Sequence, residues 1–192
     1  MKRARPSSHT RRIKTRRGIK KIKINRHIKK KVKKIPKSIR KILDFSSIQP
    51  IEYGGGIDFE NNKFKKMSLY QGESRKVNIP IDYEVNWHTH AKLPGKQQPM
   101  IVPGIEDFED FLNSKQQTMI ILKNKYALKI QKTPKFEKVV KQNKLKLKKV
   151  YSDFYNSLYS QDLQTHQNEI LKILPKLGLN VEMNKPKKEI II

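Results

Sequence analysis

Two histidines, His88 and His90, follow a run of strand-forming residues in the stretch VNWHTH. Residues i and i+2 of a strand point to the same face, so both imidazoles are expected on one face near a strand end. The chain has no cysteine, so a metal ion would have to be held by histidine and carboxylate groups. The alternative is a pair of strand-end histidines that form hydrogen bonds with carbonyl groups.

Two carboxylates complete a candidate metal centre. Asp107 follows a Pro-Gly pair in an acidic stretch that predicts the first turn of a helix. Together with His88 and His90 it can supply two nitrogens and one oxygen to a tetrahedral zinc ion, which leaves the fourth position for water. Glu52, which precedes three glycines, is the candidate general base that would activate this water.

The surrounding sequence predicts strands and helices that carry these residues. Apolar spacing favours a helix in KSIRKILDFSS, then two strands that turn at Asn61-Asn62, then a strand through VNIPIDYEVNWHTH. The acidic helix follows, and after it come a hairpin that turns at residues 123–125, two C-terminal helices and a final extended segment. His166 is expected to be exposed on a polar helix. Five residues at helical spacing predict a packing face: Tyr151, Phe154, Tyr155, Leu158 and Tyr159.

The positive charge is concentrated at the N-terminus. Twenty of the 44 basic residues lie in residues 1–42, and the first acidic residue is Asp44. Residues 43–192 contain the other 24 basic residues and all 17 acidic ones, so the formal charge of this part is +7, compared with +27 for the whole chain. Residues 1–37 are therefore predicted to be an intrinsically disordered tail that binds a polyanion, with nucleic acid as the leading partner.

The contacts with nucleic acid are predicted to come from the basic residues of this tail. They are Arg11, Arg12, Lys14, Arg16, Arg17, Lys20, Lys21, Lys23, Arg26, Lys29, Lys30, Lys31, Lys33 and Lys34. Two alternatives stay open: a nuclear-localisation or solubilising arm, and a helix lying on an anionic membrane. The membrane alternative rests on an aliphatic stripe at helical spacing, which Pro36 interrupts. The stripe consists of Ile28, Val32, Ile35, Ile39 and Ile42.

Length and hydropathy limit the remaining possibilities. The chain has 192 residues, 35% of them hydrophobic, which suffices for one well-buried domain and an appendage. No apolar run reaches the length of a transmembrane segment, and the N-terminus lacks a secretory signal, so we expect a soluble, intracellular protein. Location in the nucleus or in a virion stays open. The usage of lysine, isoleucine and asparagine is typical of an AT-rich genome, such as that of a large DNA virus or an organelle-bearing protist.

The order of these motifs resembles the JAMM (MPN+) family of zinc metalloproteases, also called JAB-type. The family pattern is a glutamate with a glycine three residues on, then His-x-His-Pro, then Ser-x-x-Asp. The matching positions are Glu52 with Gly55, His88 with His90, and Gly104 with Asp107. The resemblance assigns residues 38–134 to the domain and leaves 135–192 as a C-terminal helical extension.

This resemblance implies both a fold and an activity. The fold is of the α/β class: a curved mixed β-sheet flanked by helices, cytidine-deaminase-like, here with an extended basic N-terminal arm and extra C-terminal helices. The cofactor is zinc, bound by His88, His90 and Asp107, with Glu52 as the catalytic residue. The substrates are isopeptide bonds to ubiquitin or related tags.

Three departures from the family pattern lead to two functional hypotheses. Gly104 stands where the family has a serine that helps stabilise the oxyanion, Ala91 stands where proline follows the second histidine, and the loop at 91–102 is longer. The first hypothesis is an active isopeptidase tethered to nucleic acid by its basic tail. The second is a catalytically impaired scaffold protein that contacts other subunits of a virion or another nucleoprotein assembly.

Overall fold

A computed structural model of the chain describes residues 12–15, 18–21, 35–73, 76–80, 82–91, 100–124 and 126–184. The chain divides into two compact units, Met1–Lys31 and Val32–Ile192. In the first unit, strand β1 (Arg12–Thr15) pairs antiparallel with β2 (Gly18–Lys21). Most of the predicted tail falls outside the described residues, so its disorder stays a prediction.

The second unit is built on a mixed sheet, of which the described residues form seven strands. These are β3 (Tyr53–Glu60), β4 (Lys63–Met67), β5 (Tyr70–Gln71), β6 (Val85–Thr89), β7 (Thr118–Lys123), β8 (Tyr126–Lys132) and β9 (Leu179–Asn184). The strand order is β4-β3-β6-β7-β8-β9, and β5 pairs with β3. Strands β6 and β7 are parallel, whereas the other described pairs are antiparallel.

Helices cover both faces of this sheet, which confirms the predicted α/β class. In the described part of the chain they are α1 (Lys37–Ser46), α2 (Ile105–Asn113), α3 (Pro134–Ser157) and α4 (Leu163–Lys176). One core cluster joins α1 to one face of the sheet, and a second joins α2, α3 and α4 to the other. No helix in the described ranges is long and apolar enough to cross a membrane.

Strand β7 shows how the two faces are filled. Its side chains alternate, so Met119 and Ile121 join the core under α2–α4, while Ile120 and Leu122 join the core under α1. All four are buried, as expected for a central strand with helices on both sides. Residues of α3 and α4 thus share one hydrophobic core with α2.

The turns predicted from asparagine are confirmed. Residues Asn61 and Asn62 connect β3 to β4 with φ of 51° and 64°, and Asn124 connects β7 to β8 with φ of 47°. These angles lie in the left-handed region, which asparagine tolerates better than most residues. The predicted strand through VNIPIDYEVNWHTH is shorter than expected and begins at Val85, because Pro80 lacks the N–H that a ladder needs.

Three of the glycines before β6 permit close approach, as the sequence indicated. A Cβ on Gly55 would lie 2.0 Å from the carbonyl oxygen of Ser68, and one on Gly56 would lie 1.8 Å from Cγ of Tyr83. A Cβ on Gly54 would lie 2.5 Å from Cδ1 of Ile79. Side chains at these positions would therefore displace the segments that cover β3.

Two predictions about exposure in the C-terminal helices are wrong. His166 is buried, with 4% of its surface exposed, because α4 turns this residue toward α3 and its ring stands edge-on to Tyr155 at 4.7 Å. Tyr159 is 80% exposed, since it lies beyond the end of α3 rather than on its packing face. The rest of that face behaves as predicted: Tyr151 and Leu158 are buried.

The aliphatic stripe proposed for a membrane helix is divided at Pro36. Helix α1 starts only at Lys37, and Ile35 is buried in the core beside Leu43. Ile28 and Val32 lie outside the described residues. Within the described part, Ile35 therefore belongs to the folded unit and cannot also face a lipid surface.

Candidate metal centre

Strand pairing brings Glu52 to the same side of the sheet as both histidines. The antiparallel register pairs Gly54 of β3 with His88 of β6, so its continuation sets Glu52 opposite His90. The N–H of His90 donates to the carbonyl of Leu122 at 3.0 Å, which continues the β6–β7 ladder by one residue. Both imidazoles therefore extend from one face of a strand that is held on both sides, as the sequence predicted.

The three predicted ligands converge. His88 Nε2 lies 3.2 Å from His90 Nε2 and 3.5 Å from Asp107 Oδ1, and His90 Nε2 lies 3.5 Å from Asp107 Oδ2. His88, His90 and Asp107 thus offer ligand atoms within 4.8 Å of one another, in a group of which His88 is buried. These residues form a group that can hold a metal ion.

The donor types limit which metal this group could hold. Two nitrogens and one carboxylate oxygen, with a position left for water, are a donor set that zinc uses in catalytic sites. Iron binds the same two-histidine, one-carboxylate set in other proteins.

The second ring nitrogen of His90 fixes which nitrogen is free to bind a metal. Its Nδ1 contacts the carbonyl oxygen of Met100. A carbonyl can only accept, so Nδ1 carries the proton and the neutral ring has its lone pair on Nε2, toward Asp107. Histidines that bind metals commonly donate their other N–H in this way. The alternative to metal binding was a hydrogen bond from these histidines to carbonyl groups. His90 makes such a contact through Nδ1, and this contact leaves its Nε2 available to bind a metal.

Asp107 is positioned by the start of α2. Gly104 is the N-cap and Asp107 is the third residue of the helix, so its side chain reaches back to the N-cap backbone. The Gly104 N–H donates to Asp107 Oδ2 at 2.8 Å. The helix N-terminus also favours a negative charge at this position. The same backbone geometry that caps α2 therefore holds the carboxylate next to the two imidazoles.

Glu52 is held beside this group by its backbone and by Ala91. Its own N–H donates to Glu73 and its carbonyl accepts from Gly72, at 2.7 and 2.8 Å. The next residue, Tyr53, donates its N–H to Thr89 Oγ1 at 2.8 Å. The buried Glu52 carboxylate accepts a hydrogen bond from the Ala91 N–H. The backbone of Glu52 is thus fixed next to β6, and its carboxylate is close enough to interact electrostatically with His90, His88 and Asp107.

Charges within the group interact strongly. Burial raises the pKa of Asp107, but His88 and His90 outweigh burial and hold it well below its usual value. Burial lowers the pKa of His88, but Asp107 and then Glu52 more than compensate, so the net shift is upward. Burial raises the pKa of Glu52, against the opposing effect of the two histidines. The arrangement favours positive charge between the carboxylates.

An open cleft of about 410 Å³ adjoins the group. It is bounded by residues 76–79 on one side and α2 on the other, above β6 and β7. Its lining includes the candidate base and two of the candidate ligands: Glu52, His88 and Asp107. A ligand that enters the cleft can therefore contact these three side chains.

Tyr151 supports the site, although its spacing in the sequence indicated only packing. Its hydroxyl donates to the carbonyl of Pro103 at 2.7 Å, and its ring stacks on Phe108 at 3.9 Å. Both contacts are with residues that flank Gly104 and Asp107. The hydroxyl thus ties α3 to the start of α2. The backbone partners Met100 and Ala91 were also missed, because no side-chain pattern identifies a main-chain N–H or C=O group.

We predict that Tyr151→Phe destabilises the folded unit by about 1–3 kcal/mol, since the buried Pro103 carbonyl loses its donor. For a unit of this size the melting temperature should fall by roughly 2–4 °C per kcal/mol. Thermal unfolding followed by circular dichroism measures this change. Tyr159→Phe, at an exposed position, is the matched control and should leave the melting temperature unchanged. Equal melting temperatures for the two variants would contradict a structural role for the hydroxyl.

The other predicted residues are placed only in part. Strands β1 and β2 carry four of the predicted nucleic-acid contacts: Arg12, Lys14, Lys20 and Lys21. The other predicted contacts lie outside the described residues, as do residues 92–99 of the predicted loop.

In comparisons with known proteins, no protein family, no curated protein and no solved structure matches this chain. The site is therefore interpreted from its own geometry.

Proposed function

We propose that this protein is a zinc-dependent isopeptidase of the JAMM type, which hydrolyses isopeptide bonds to ubiquitin-like tags. The observation that carries the proposal is the convergence of His88, His90 and Asp107, with Glu52 beside them in the wall of an open cleft. The resemblance of the motif order to the JAMM pattern supports the choice of bond. The JAMM family has a curved sheet, and the proposal includes the same curvature for the sheet of this protein.

Each residue of the proposed site has a separate role in hydrolysis. Zinc in this position would polarise the scissile carbonyl and lower the pKa of a water molecule. Glu52 accepts the proton of the attacking water and then delivers it to the leaving amine. The Ala91 N–H orients the carboxylate of Glu52 for both transfers. Met100 and Gly104 hold His90 and Asp107 in the orientations in which they can bind the ion.

A cleavage assay tests this proposal directly. Full-length protein, supplied with zinc, is incubated with a ubiquitin dimer linked through an isopeptide bond, and the released monomer is quantified. We expect slow hydrolysis that disappears in Glu52→Gln, while the zinc content of that variant stays the same because Glu52 is not a ligand. Hydrolysis that persists in Glu52→Gln would contradict the assigned role of the base.

Gly104 favours a second candidate function. It lies at the N-cap of α2, next to the ligand Asp107, and has no hydroxyl to donate to an oxyanion. Under this alternative the protein is a scaffold component of a virion or other nucleoprotein assembly. The metal would then connect α2 to β6 and serve stability rather than catalysis. The two candidates share the metal and differ in turnover.

We further propose that the basic tail tethers the protein to nucleic acid without regard to base sequence. Twenty basic residues precede the first acidic one, and phosphate contacts alone give such binding. The buried Ile35 marks where the folded unit begins, so a truncation has to end before it. Removal of Met1–Lys31 follows the boundary between the two units.

This truncation should abolish binding of DNA and RNA and leave the folded unit intact by circular dichroism. With about six to ten phosphate contacts, the full-length protein should lose roughly 10³–10⁵ in affinity between about 50 and 200 mM salt. Fluorescence anisotropy with labelled oligonucleotides of different sequence measures both effects. A protein with residues 1–31 in shuffled order is the matched control and should bind as well as the native one. Undiminished binding by the truncated protein would refute the tether.

A further inference from the structure

Helix α3 carries most of the positive charge found beyond residue 42. Its seven lysines, together with Glu137 and Asp153, give it a formal charge of +5. The rest of residues 43–192 contains 17 basic and 15 acidic residues, so its charges nearly balance. The positive charge of this part of the chain is therefore not spread evenly over the surface but belongs mainly to one helix.

Six of these lysines are exposed, and no described residue neutralises them. The seventh, Lys148, forms an ion pair with Glu109 of α2 at 2.7 Å. Lysines three or four residues apart on a helix repel one another. An external anion beside α3 would relieve this repulsion. The six exposed lysines that form no ion pair with a described residue are Lys135, Lys138, Lys141, Lys144, Lys146 and Lys149.

The apolar face of α3 is already used in the core. Phe136, Leu147 and Tyr151 are buried in the cluster shared with α2 and α4. A helix that lies on a lipid surface needs a broad apolar face directed outward. On α3 the large apolar residues classed as exposed are Leu145, at 82%, and Val150, at 40%, which do not form such a face. The phosphate backbone of nucleic acid fits better, because it offers dense negative charge and needs no apolar contact.

Three of the lysines lie on the side of α3 that is turned away from the core. Lys149 lies two residues from both Leu147 and Tyr151, which places it on the opposite side of the helix. Lys138 and Lys141 are likewise on the side away from Phe136. From Lys138 to Lys149 the helix rises roughly 16 Å at about 1.5 Å per residue. This length matches about five nucleotides of one strand at about 3.4 Å each, so one stretch of backbone can meet all three lysines.

We propose that α3 is a second phosphate-binding surface, which contacts the backbone of the nucleic acid that the basic tail holds. The surface rests on the proposed tether, because about three phosphate contacts are too few to hold an oligonucleotide at physiological salt. The tail raises the local concentration of phosphates around the protein, so weak contacts with α3 add to the overall affinity. Contacts between lysine and phosphate carry no sequence information, so the surface does not distinguish bases.

The salt dependence of DNA binding by the full-length protein tests this surface. The α3 variant combines Lys138→Gln, Lys141→Gln and Lys149→Gln, because glutamine has a helix propensity close to that of lysine. Each lost phosphate contact reduces the slope of log affinity against log salt by about 0.9, so the slope should become shallower by about 2.7. The weakening should be the same for two duplexes of unrelated sequence. Fluorescence anisotropy with labelled duplex DNA measures both quantities.

The matched control removes the same charge from exposed positions elsewhere. It combines Lys63→Gln on β4, Lys115→Gln after α2 and Lys176→Gln at the end of α4, and it should keep the native slope. Both variants should retain the native melting temperature by circular dichroism, since all six positions are exposed. A native slope in the α3 variant would overturn the surface. An equal reduction in both variants would also overturn it, because only net charge would then matter.

Failure of this surface is distinguishable from failure of the tether. If removal of residues 1–31 abolishes binding while the α3 variant keeps the native slope, the tether stands and the α3 surface is overturned. If the truncated protein binds undiminished while the α3 variant has a shallower slope, the α3 surface stands and the tether is contradicted. A native slope with DNA, together with lost binding to phosphatidylserine vesicles, would assign these lysines to a membrane surface and overturn the proposal.

Discussion

Full-length protein purified without chelator should contain about one equivalent of zinc, and His88→Ala, His90→Ala and Asp107→Ala should each reduce this content severely. Loss of an outer partner of a ligand typically lowers metal affinity about 10–100-fold, so loss of a ligand should lower it by more. The reason is geometric: among the described residues the ligand atoms of His88, His90 and Asp107 converge, so each variant leaves two of the three. Elemental analysis by mass spectrometry, together with competition against a chromophoric chelator, measures content and affinity.

The controls for this experiment separate the site from histidine and carboxylate in general. His27→Ala removes an imidazole from the tail, and Asp153→Asn removes a carboxylate from α3, and neither should change the zinc content. Elemental analysis also distinguishes zinc from iron, which binds the same two-histidine, one-carboxylate set in other proteins. A stoichiometric metal other than zinc would contradict the cofactor, and no metal in the native protein would end the metal-centre interpretation.

The convergence of the candidate ligands could be predicted because their spacing in the sequence maps directly onto local geometry. His88 and His90 share a face since strand side chains alternate, and Asp107 reaches back because the third residue of a helix lies under the N-cap. The glycines after Glu52 predicted the close approach that the structure shows at Gly55. Each of these inferences needs only one element and its period.

The remaining features depend on contacts between distant segments. The contact of His90 with Met100 spans a loop, and the bond of Tyr151 to Pro103 joins residues 48 positions apart. His166 belongs to a polar stretch, and only the packing of α4 against α3 buries it. The prediction that strand β6 begins before Val85 is wrong, because Pro80 has a larger effect than the β-propensity of the residues around it. Local periodicity does not reveal which partner a residue meets.

Gly104→Ser should raise isopeptide hydrolysis by about 10²–10³-fold, which is the usual effect of one oxyanion-hole donor. The backbone accepts the change: Gly104 has φ of −69°, and a Cβ there would meet only Asp107 Oδ2, at 3.4 Å. That contact places the new hydroxyl beside the metal group, where the oxyanion would form. A serine N-cap should also stabilise α2 by a few tenths of a kcal/mol relative to glycine.

Gly104→Ala is the matched control for this gain. It adds the same Cβ without a hydroxyl, so it should leave hydrolysis at the native rate while altering the backbone equally. The gain in Gly104→Ser should disappear when Glu52→Gln is added, because the proton of the attacking water then has no acceptor. Rates from a fluorogenic isopeptide substrate at saturating zinc measure all four proteins. An equal gain from alanine and serine would show that shape rather than hydrogen bonding limits the native protein.

The loop at residues 91–102 offers the other explanation for slow turnover, and it is separable from Gly104. If the loop obstructs the cleft, shortening it should raise hydrolysis even with Gly104 in place, and the effect should multiply with that of Gly104→Ser, because access and oxyanion stabilisation act on different steps. If zinc is stoichiometric yet neither change produces hydrolysis that depends on Glu52, the enzyme proposal fails. The metal would then serve to hold α2 against β6, and its removal should lower the melting temperature of the folded unit without any catalytic consequence.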